Sequence, residues 1–585
     1  MPRRPCLPSL LAAASLFSLT ACGGQLARVP LRDALSRDTD LDPVHVACRP
    51  DPAAKGGKPL CTPEPYVSPL AWDAADNTLF RPLTRVFAVD PAGEATNANT
   101  FDEVADSAWF TNRIGQRGMS AEEAALGACE PAMILDPEMP DGSWVIDQGK
   151  ANGASLGFRI RVAGKKYMMK TDSKEQPERP TAASAIGAAI YHDVGFWSSC
   201  EQVVYFRPSI LKLTPGLSVT ANVGGTRPFD QAALQTVLDE AAKKGDLVRM
   251  QASAWLPGRL LGPFRYEGTR ADDPNDVIPH QDRRELRGAR LLAAWLNHFD
   301  AREQNSMDSW IALDSSAPDS SPGHVRHYYL DTSDCFGSEW TWDGISRRLG
   351  HSYLIDFEHV GVDLVTLGLI DRPWDRAART PGQEIFGYYT ARDFIPEKWQ
   401  NEYSNPAFDR MRERDGAWMA RILARFTPDH LRALVKRGDF SKAENATYLL
   451  QVIQARLDLI LKRYLTRLSP LADLRVASHD RLCGVDLARK TGASPEGAFH
   501  YRAEMRSGDG PGVVKAVSVE ESANAAVCLT LPHVARDGGA ADDAASRHVV
   551  VRIANGAAKG PLVAQLYDLG PSRGYKLVAI DRPSE

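Results

Sequence analysis

The period of apolar and polar residues changes several times along the chain, and each change predicts an element. Between Ser143 and Lys170 apolar and polar positions alternate, the period-2 signature of strands. Trp144–Asp147 predicts one strand, Phe158-Arg-Ile-Arg-Val162 a second and Lys166-Tyr-Met-Met-Lys170 a third, with Ala163-Gly164-Lys165 as a turn. From Thr181 to Asp193 the run is small and apolar, which predicts a helix, and Val203–Phe206 predicts a strand. From about Asp282 to Asn297, Leu286, Ala289, Ala293 and Leu296 recur on one helical face. Helical stretches with short connections dominate 181–465. Arg326–Asp331 reads as a strand with an acid at its end. Beyond 470 the pattern breaks into short β-rich runs at 513–519, 526–531, 548–553, 562–568 and 575–580, separated by Gly, Pro, Asp and Ser. That spacing predicts a small β-sandwich.

The first residues follow a different rule. Arg3-Arg4 precedes an apolar stretch from Leu10 to Leu19, too short to span a bilayer, which takes roughly 20 apolar residues. A basic head, a short apolar core and small residues after it read as an export signal. It ends Leu19-Thr20-Ala21-Cys22, which resembles the bacterial lipobox: Leu, two small residues, then Cys. The resemblance implies removal of 1–21 and a covalent lipid on Cys22. Acyl chains anchor stably because each buried CH2 contributes about 0.8 kcal/mol. The other reading is an ordinary secretory signal with an incidental cysteine. Gly23 is not the Asp that resembles an inner-membrane retention signal, so the expected location is the bacterial cell envelope, at the outer membrane.

The resulting layout is signal peptide 1–21, anchor and linker 22–70, an N-terminal extension 71–140, a β-rich unit 141–210, a helical unit 211–468 and the sandwich 469–585. Without Cys6 and Cys22 the remaining cysteines are 48, 61, 129, 200, 335, 483 and 528. Their number is odd, so at least one thiol stays free or pairs outside the chain. Cys48 with Cys61 and Cys483 with Cys528 are the local pairs expected in an oxidising compartment. The net charge of −5 comes without a basic stripe, which argues against a nucleic-acid partner. No Cys or His spacing suggests zinc, and no G-x-S-x-G elbow suggests a serine hydrolase. His280, His298 and His327 read as satisfied core or polar histidines, and Asp272–Asp276 as a solvated turn before a helix.

One ordered set of residues could carry chemistry. Gly149, Gly153 and Gly157 would let a loop approach phosphate oxygens with backbone N–H groups. Lys170, on a neighbouring strand, could add a point charge. Asp300 and Asn305 follow the helix that ends near Asn297, and Asp331 ends the later strand. This order resembles the protein-kinase-like superfamily, most closely its atypical phosphoinositide-kinase-like, HipA-like and CotH-like branches. The resemblance implies an α+β fold: a bilobal core with a small β-rich lobe and a larger helical lobe, followed here by the β-sandwich. It also implies roles. Gly153 and Gly157 would cover phosphates, Lys170 would touch them, Asp300 would orient or deprotonate an acceptor hydroxyl, and Asn305 and Asp331 would hold the metal. The cofactor would be ATP with Mg2+ or Mn2+, which hard oxygen ligands suit. The stretch 95–465 also resembles a group of exported bacterial proteins through Asp106–Arg113, Arg270–Asp276, Arg283–Arg287 and Asn405–Phe408. That likeness brings no activity with it.

Two departures bear on catalysis. Kinases carry an acid on the helix after the strand lysine; here Ser184 stands at that place, and no Asp or Glu occurs in 181–192. A rival metal acid, Asp356, lies farther from Asn305 than Asp331 does. An exported protein also meets little ATP. Two functions therefore stand: phosphate transfer to a protein or glycan hydroxyl, or a non-catalytic envelope lipoprotein that docks a protein partner through its C-terminal unit.

Overall fold

The computed structural model describes residues 27–31, 38–50, 59–67, 70–87, 93–150, 155–220, 225–495, 497, 499–507, 514–534 and 544–583. Cys22 and Gly153 lie outside them. The alternation at 143–170 forms β1 (Trp144–Gly149), β2 (Gly157–Val162) and β3 (Lys165–Lys170), whose inward Trp144, Ile146, Phe158, Ile160 and Met169 are all fully buried. Next comes α1 (Arg179–Val194), buried along nearly its whole length, as an all-round apolar helix must be. β4 (Glu201–Phe206) follows, then β5 (Leu247–Ala254). The strands lie in the order β1-β2-β3-β5-β4, with every neighbouring pair antiparallel. The sheet thus continues past residue 210, where the helical unit was expected to begin. The run 181–465 is also richer in strands than its pattern predicts.

α2 (Arg284–Leu296) occupies the centre of the helical region. It leads through a loop to a hairpin of β6 (Ser306–Ala312) and β7 (Gly323–Tyr329). After other helices, among them Phe357–Thr366, come α3 (Glu413–Leu423), α4 (Pro428–Lys436) and α5 (Ala443–Tyr464). The segments Asp106–Arg113, Arg270–Asp276 and Arg283–Arg287 serve this scaffold. Arg283 pairs with Asp38 at 2.9 Å, Arg284 with Asp102 at 2.7 Å and Arg287 with Asp282 at 2.7 Å. The Ser107 hydroxyl accepts the N–H groups of Trp109 and Phe110, and Arg113 donates to the Phe196 carbonyl. Asp273 and Asp276 are buried rather than solvated, Asp276 at 2.6 Å from His280. His327 lies 2.6 Å from Asp308 and His298 Nδ1 lies 2.8 Å from the Tyr191 hydroxyl, so all three histidines are interior and hydrogen-bonded, although His298 Nε2 is buried without a partner.

The C-terminal strands are β8 (Leu471–Ser478), β9 (Arg481–Asp486), β10 (Arg502–Ser507), β11 (Val514–Glu521), β12 (Ala526–Thr530), β13 (His548–Ala554), β14 (Leu562–Asp568) and β15 (Tyr575–Asp581). They do not form a two-sheet sandwich. They form one antiparallel sheet, ordered β8-β9-β12-β11-β10-β13-β14-β15, that curls until it nearly closes. At the seam Arg582 donates to the Leu471 carbonyl at 2.7 Å and the Tyr575 N–H to the His479 carbonyl at 3.0 Å. Near-closure shields the edge strands, a need that short alternating strands meet equally by sandwich or barrel. The interior of this sheet is continuous with the core around α2.

The segment expected as a free linker is packed on the body where it is described. Val44 exchanges backbone hydrogen bonds with Gly323, the buried Asp40 accepts the Ala108 N–H, and the Cys61 N–H donates to the Asp319 carbonyl. Cys48–Cys61 and Cys483–Cys528 are bonded as expected, and Cys129–Cys200 forms a third bridge that spacing did not indicate. Among the described residues Cys335 is the free thiol, and it is buried. Among the described residues no helix is long and apolar enough to cross a membrane.

Candidate functional site

β3 ends at Lys170, and β7 runs out towards Asp331. Asp331 adopts a left-handed backbone (φ 51°), an uncommon conformation that Asp tolerates better than most residues. The turn Thr332–Asp334 packs closely on α1 because Gly187 has no side chain; a Cβ there would sit 2.8 Å from Thr332. The result is an ion pair between residues 161 positions apart: Lys170 Nζ lies 2.8 Å from Asp331 Oδ2. Ser333 donates to the other carboxylate oxygen at 2.7 Å. Burial alone would raise the Asp331 pKa, but the Lys170 charge and these hydrogen bonds outweigh it and hold the carboxyl well below its usual range. Burial likewise opposes the Lys170 charge, and Asp331 more than restores it.

Lys170, Asn305 and Asp331 line one cavity of about 240 Å³, with Glu201, Met168 and Trp255 among its other walls. Glu201 was not singled out from the sequence. It begins β4, fully buried, and accepts hydrogen bonds from Ser199 (2.5 Å), Ser253 (2.5 Å) and Gln251 (2.7 Å). Burial raises its pKa against these bonds and the Lys170 charge. Ser184, at the place where an acid was expected on α1, donates to Gln251 at 2.8 Å. The acid facing Lys170 therefore comes from β4, and α1 supports it through Gln251. A signal was present, an acid opening a strand whose last four residues are Val, Val, Tyr and Phe, but its pairing with β5 is non-local.

Lys150, just past β1, is a second cation at this site. Its ammonium donates to the Ser155 carbonyl at 2.6 Å. Burial, then the Lys170 charge, push its pKa down to about 8. Gly157 pairs with Lys170 across β2 and β3, and a Cβ there would meet the Met169 carbonyl at 2.1 Å, so the close approach of these strands requires glycine.

Asn305 lines the cavity while its amide donates to the Asp300 carbonyl at 2.8 Å, closing the loop on itself. Asp300 does not line the cavity. Its carboxylate is 2.7 Å from Arg302, which also reaches Glu402 at 3.2 Å. Burial and then the Glu402 charge raise the Asp300 pKa well above normal, and burial pushes Glu402 up to about 7 against Arg302. The two acids are deeply buried and sit on one arginine, an arrangement that favours their protonated forms. The rival acid, Asp356, caps the helix Phe357–Thr366 by accepting the His359 N–H.

Among the described residues no three His, Cys, Asp or Glu side chains converge as a metal cage. The carboxylate of Asp331 and the amide oxygen of Asn305 are nevertheless hard donors on one cavity. That small set suits Mg2+, which is usually held by one or two carboxylates together with phosphate oxygens. No protein-family model, curated protein or solved structure matches the chain.

Proposed function

We propose that this chain is an exported, lipid-anchored envelope protein whose kinase-like body holds a nucleotide or other phosphorylated ligand with Mg2+ or Mn2+. The observation that carries this reading is the 2.8 Å contact of Lys170 with Asp331 in the cavity that Asn305 and Glu201 share. The surrounding order supports it: a lysine on the third strand, a helix, an Asp-x4-Asn loop after α2, and an acid after β7. Lys170 and Lys150 supply positive charge for phosphate oxygens, and the buried Glu201 on the same cavity adds a carboxylate whose charge favours the charged form of Lys170. The metal, when bound by Asp331 and Asn305, would neutralise phosphate charge. The three disulfides support export, since such bridges persist in oxidising compartments.

Transfer of phosphate to a protein or glycan hydroxyl asks more of the site, because Asp300 would have to leave Arg302. That contact favours a second reading, a pseudokinase-like module that binds without transferring and acts by docking an envelope partner. A thermal-shift titration of the folded protein with ATP and Mg2+ or Mn2+ tests binding. Stabilisation that disappears in Lys170→Ala supports the proposal; no shift at millimolar ligand removes it. If binding holds, transfer from labelled ATP separates the two readings: activity lost in Asp300→Ala means a kinase, and none in the wild type means a binding module.

A further inference from the structure

Residues 27–29 are fastened to the C-terminal sheet. The Val29 N–H donates to Gln565 Oε1 at 2.9 Å, Gln565 Nε2 donates to the Ala27 carbonyl at 3.2 Å, and the Tyr567 hydroxyl donates to the Val29 carbonyl at 2.8 Å. Both side chains come from β14 and are buried, and His548 on β13 also reaches Gln565 at 3.1 Å. The start of the described chain is thus a strap across β14, held by three hydrogen bonds.

Cys22 precedes Ala27 by five residue steps. An extended chain covers at most about 3.6 Å per residue, so no conformation lets Ala27 lie more than about 18 Å from the Cys22 backbone. A compact chain of roughly 560 residues has a radius of gyration of about 24 Å. The leash is therefore shorter than the body is wide, and the body cannot turn an arbitrary face to the surface that holds Cys22. We infer that the face of the C-terminal sheet that carries the strap, around Gln565 and Tyr567 of β14, is the face that lies against the lipid bilayer. This rests on the lipid-anchor reading of Cys22. It gives the C-terminal sheet a task beyond packing: it fixes how the cavity at Lys170 is presented from the membrane.

The test uses the full-length lipoprotein in vesicles containing a headgroup-labelled acceptor lipid. A donor is placed through Arg573→Cys, in the exposed turn before β15; the native free thiol, Cys335, is buried. A second form carries a Gly/Ser spacer of about 20 residues after Leu26, which adds roughly 25 Å of root-mean-square reach. Mass spectrometry of the mature N-terminus reports whether Cys22 carries lipid. With lipid present, strong energy transfer that falls by at least half in the spacer form is the expected result. With lipid present and transfer equal in both forms, the membrane face is wrong while the anchor stands. An unmodified Cys22 overturns the anchor, and the orientation with it.

Discussion

Lys170→Met and Asp331→Asn, made singly and together, form a cycle whose coupling energy depends on how far the ion pair is shielded from water. The charged atoms are 2.8 Å apart, with Lys170 14% and Asp331 36% exposed as side chains. Unit charges at that distance attract by roughly 6 kcal/mol at an effective dielectric constant of about 20, and by roughly 1.5 kcal/mol in bulk water. Desolvation offsets much of this. Exposed pairs retain about 0.2–1 kcal/mol, whereas losing one partner of a fully buried pair costs about 3–5 kcal/mol. With Asp331 more than a third open to solvent screening, the expected coupling is about 1–2 kcal/mol. Urea unfolding at pH 7, followed by tryptophan fluorescence, measures it. The pair's contribution is present above the ordinary carboxylate range and is lost as pH falls through the lowered Asp331 pKa, so the coupling shrinks in acid. A coupling below about 0.3 kcal/mol at pH 7 would mean that the contact is not maintained in solution and would refute the reasoning.

Glu402, pushed up to about 7 by burial, keeps its proton in the folded state over a range where the unfolded chain has lost it. Stability should therefore fall by about 2–4 kcal/mol between pH 4.5 and 7, and Glu402→Gln should flatten that slope in pH-dependent unfolding. Removing the Cys129–Cys200 bridge, which spans 71 residues, should cost about 2–4 kcal/mol, read as a lower denaturant midpoint for the double Ser variant. Gly187→Val should displace the Thr332–Asp334 turn from α1, destabilising by about 1–3 kcal/mol and weakening any ligand that depends on Asp331, as followed by calorimetry.

The parts of the fold legible in the sequence were those with local patterns. β1 to β3 alternate, α1 is apolar throughout, α2 has a one-sided stripe, and β11 to β15 are punctuated by turn residues. β8, β9 and β10 were hidden because Arg475, Arg481, Arg502, Glu504 and Arg506 fill positions that a short apolar run would need. Sandwich and curled sheet share one pattern, so closure could not be read. At the candidate site, Lys170, Asn305 and Asp331, singled out by an order that resembles the kinase-like superfamily, line one cavity. Glu201 was missed because its meaning depends on pairing with β5, 50 residues on at Gln251. Asp300 was placed by spacing alone, and only the fold shows the arginine and the second acid that bury it. The Cys129–Cys200 bridge joins a loop to the start of β4, contact that no local rule predicts.

The most direct test of phosphate-ligand binding is isothermal titration of ATP with Mg2+ into the wild type, Lys170→Met and Asp331→Asn, each verified as folded. The account predicts saturable binding to the wild type, weakened at least about tenfold, or 1.4 kcal/mol, in either variant. Absence of binding at millimolar nucleotide, or equal affinity in all three proteins, would contradict it.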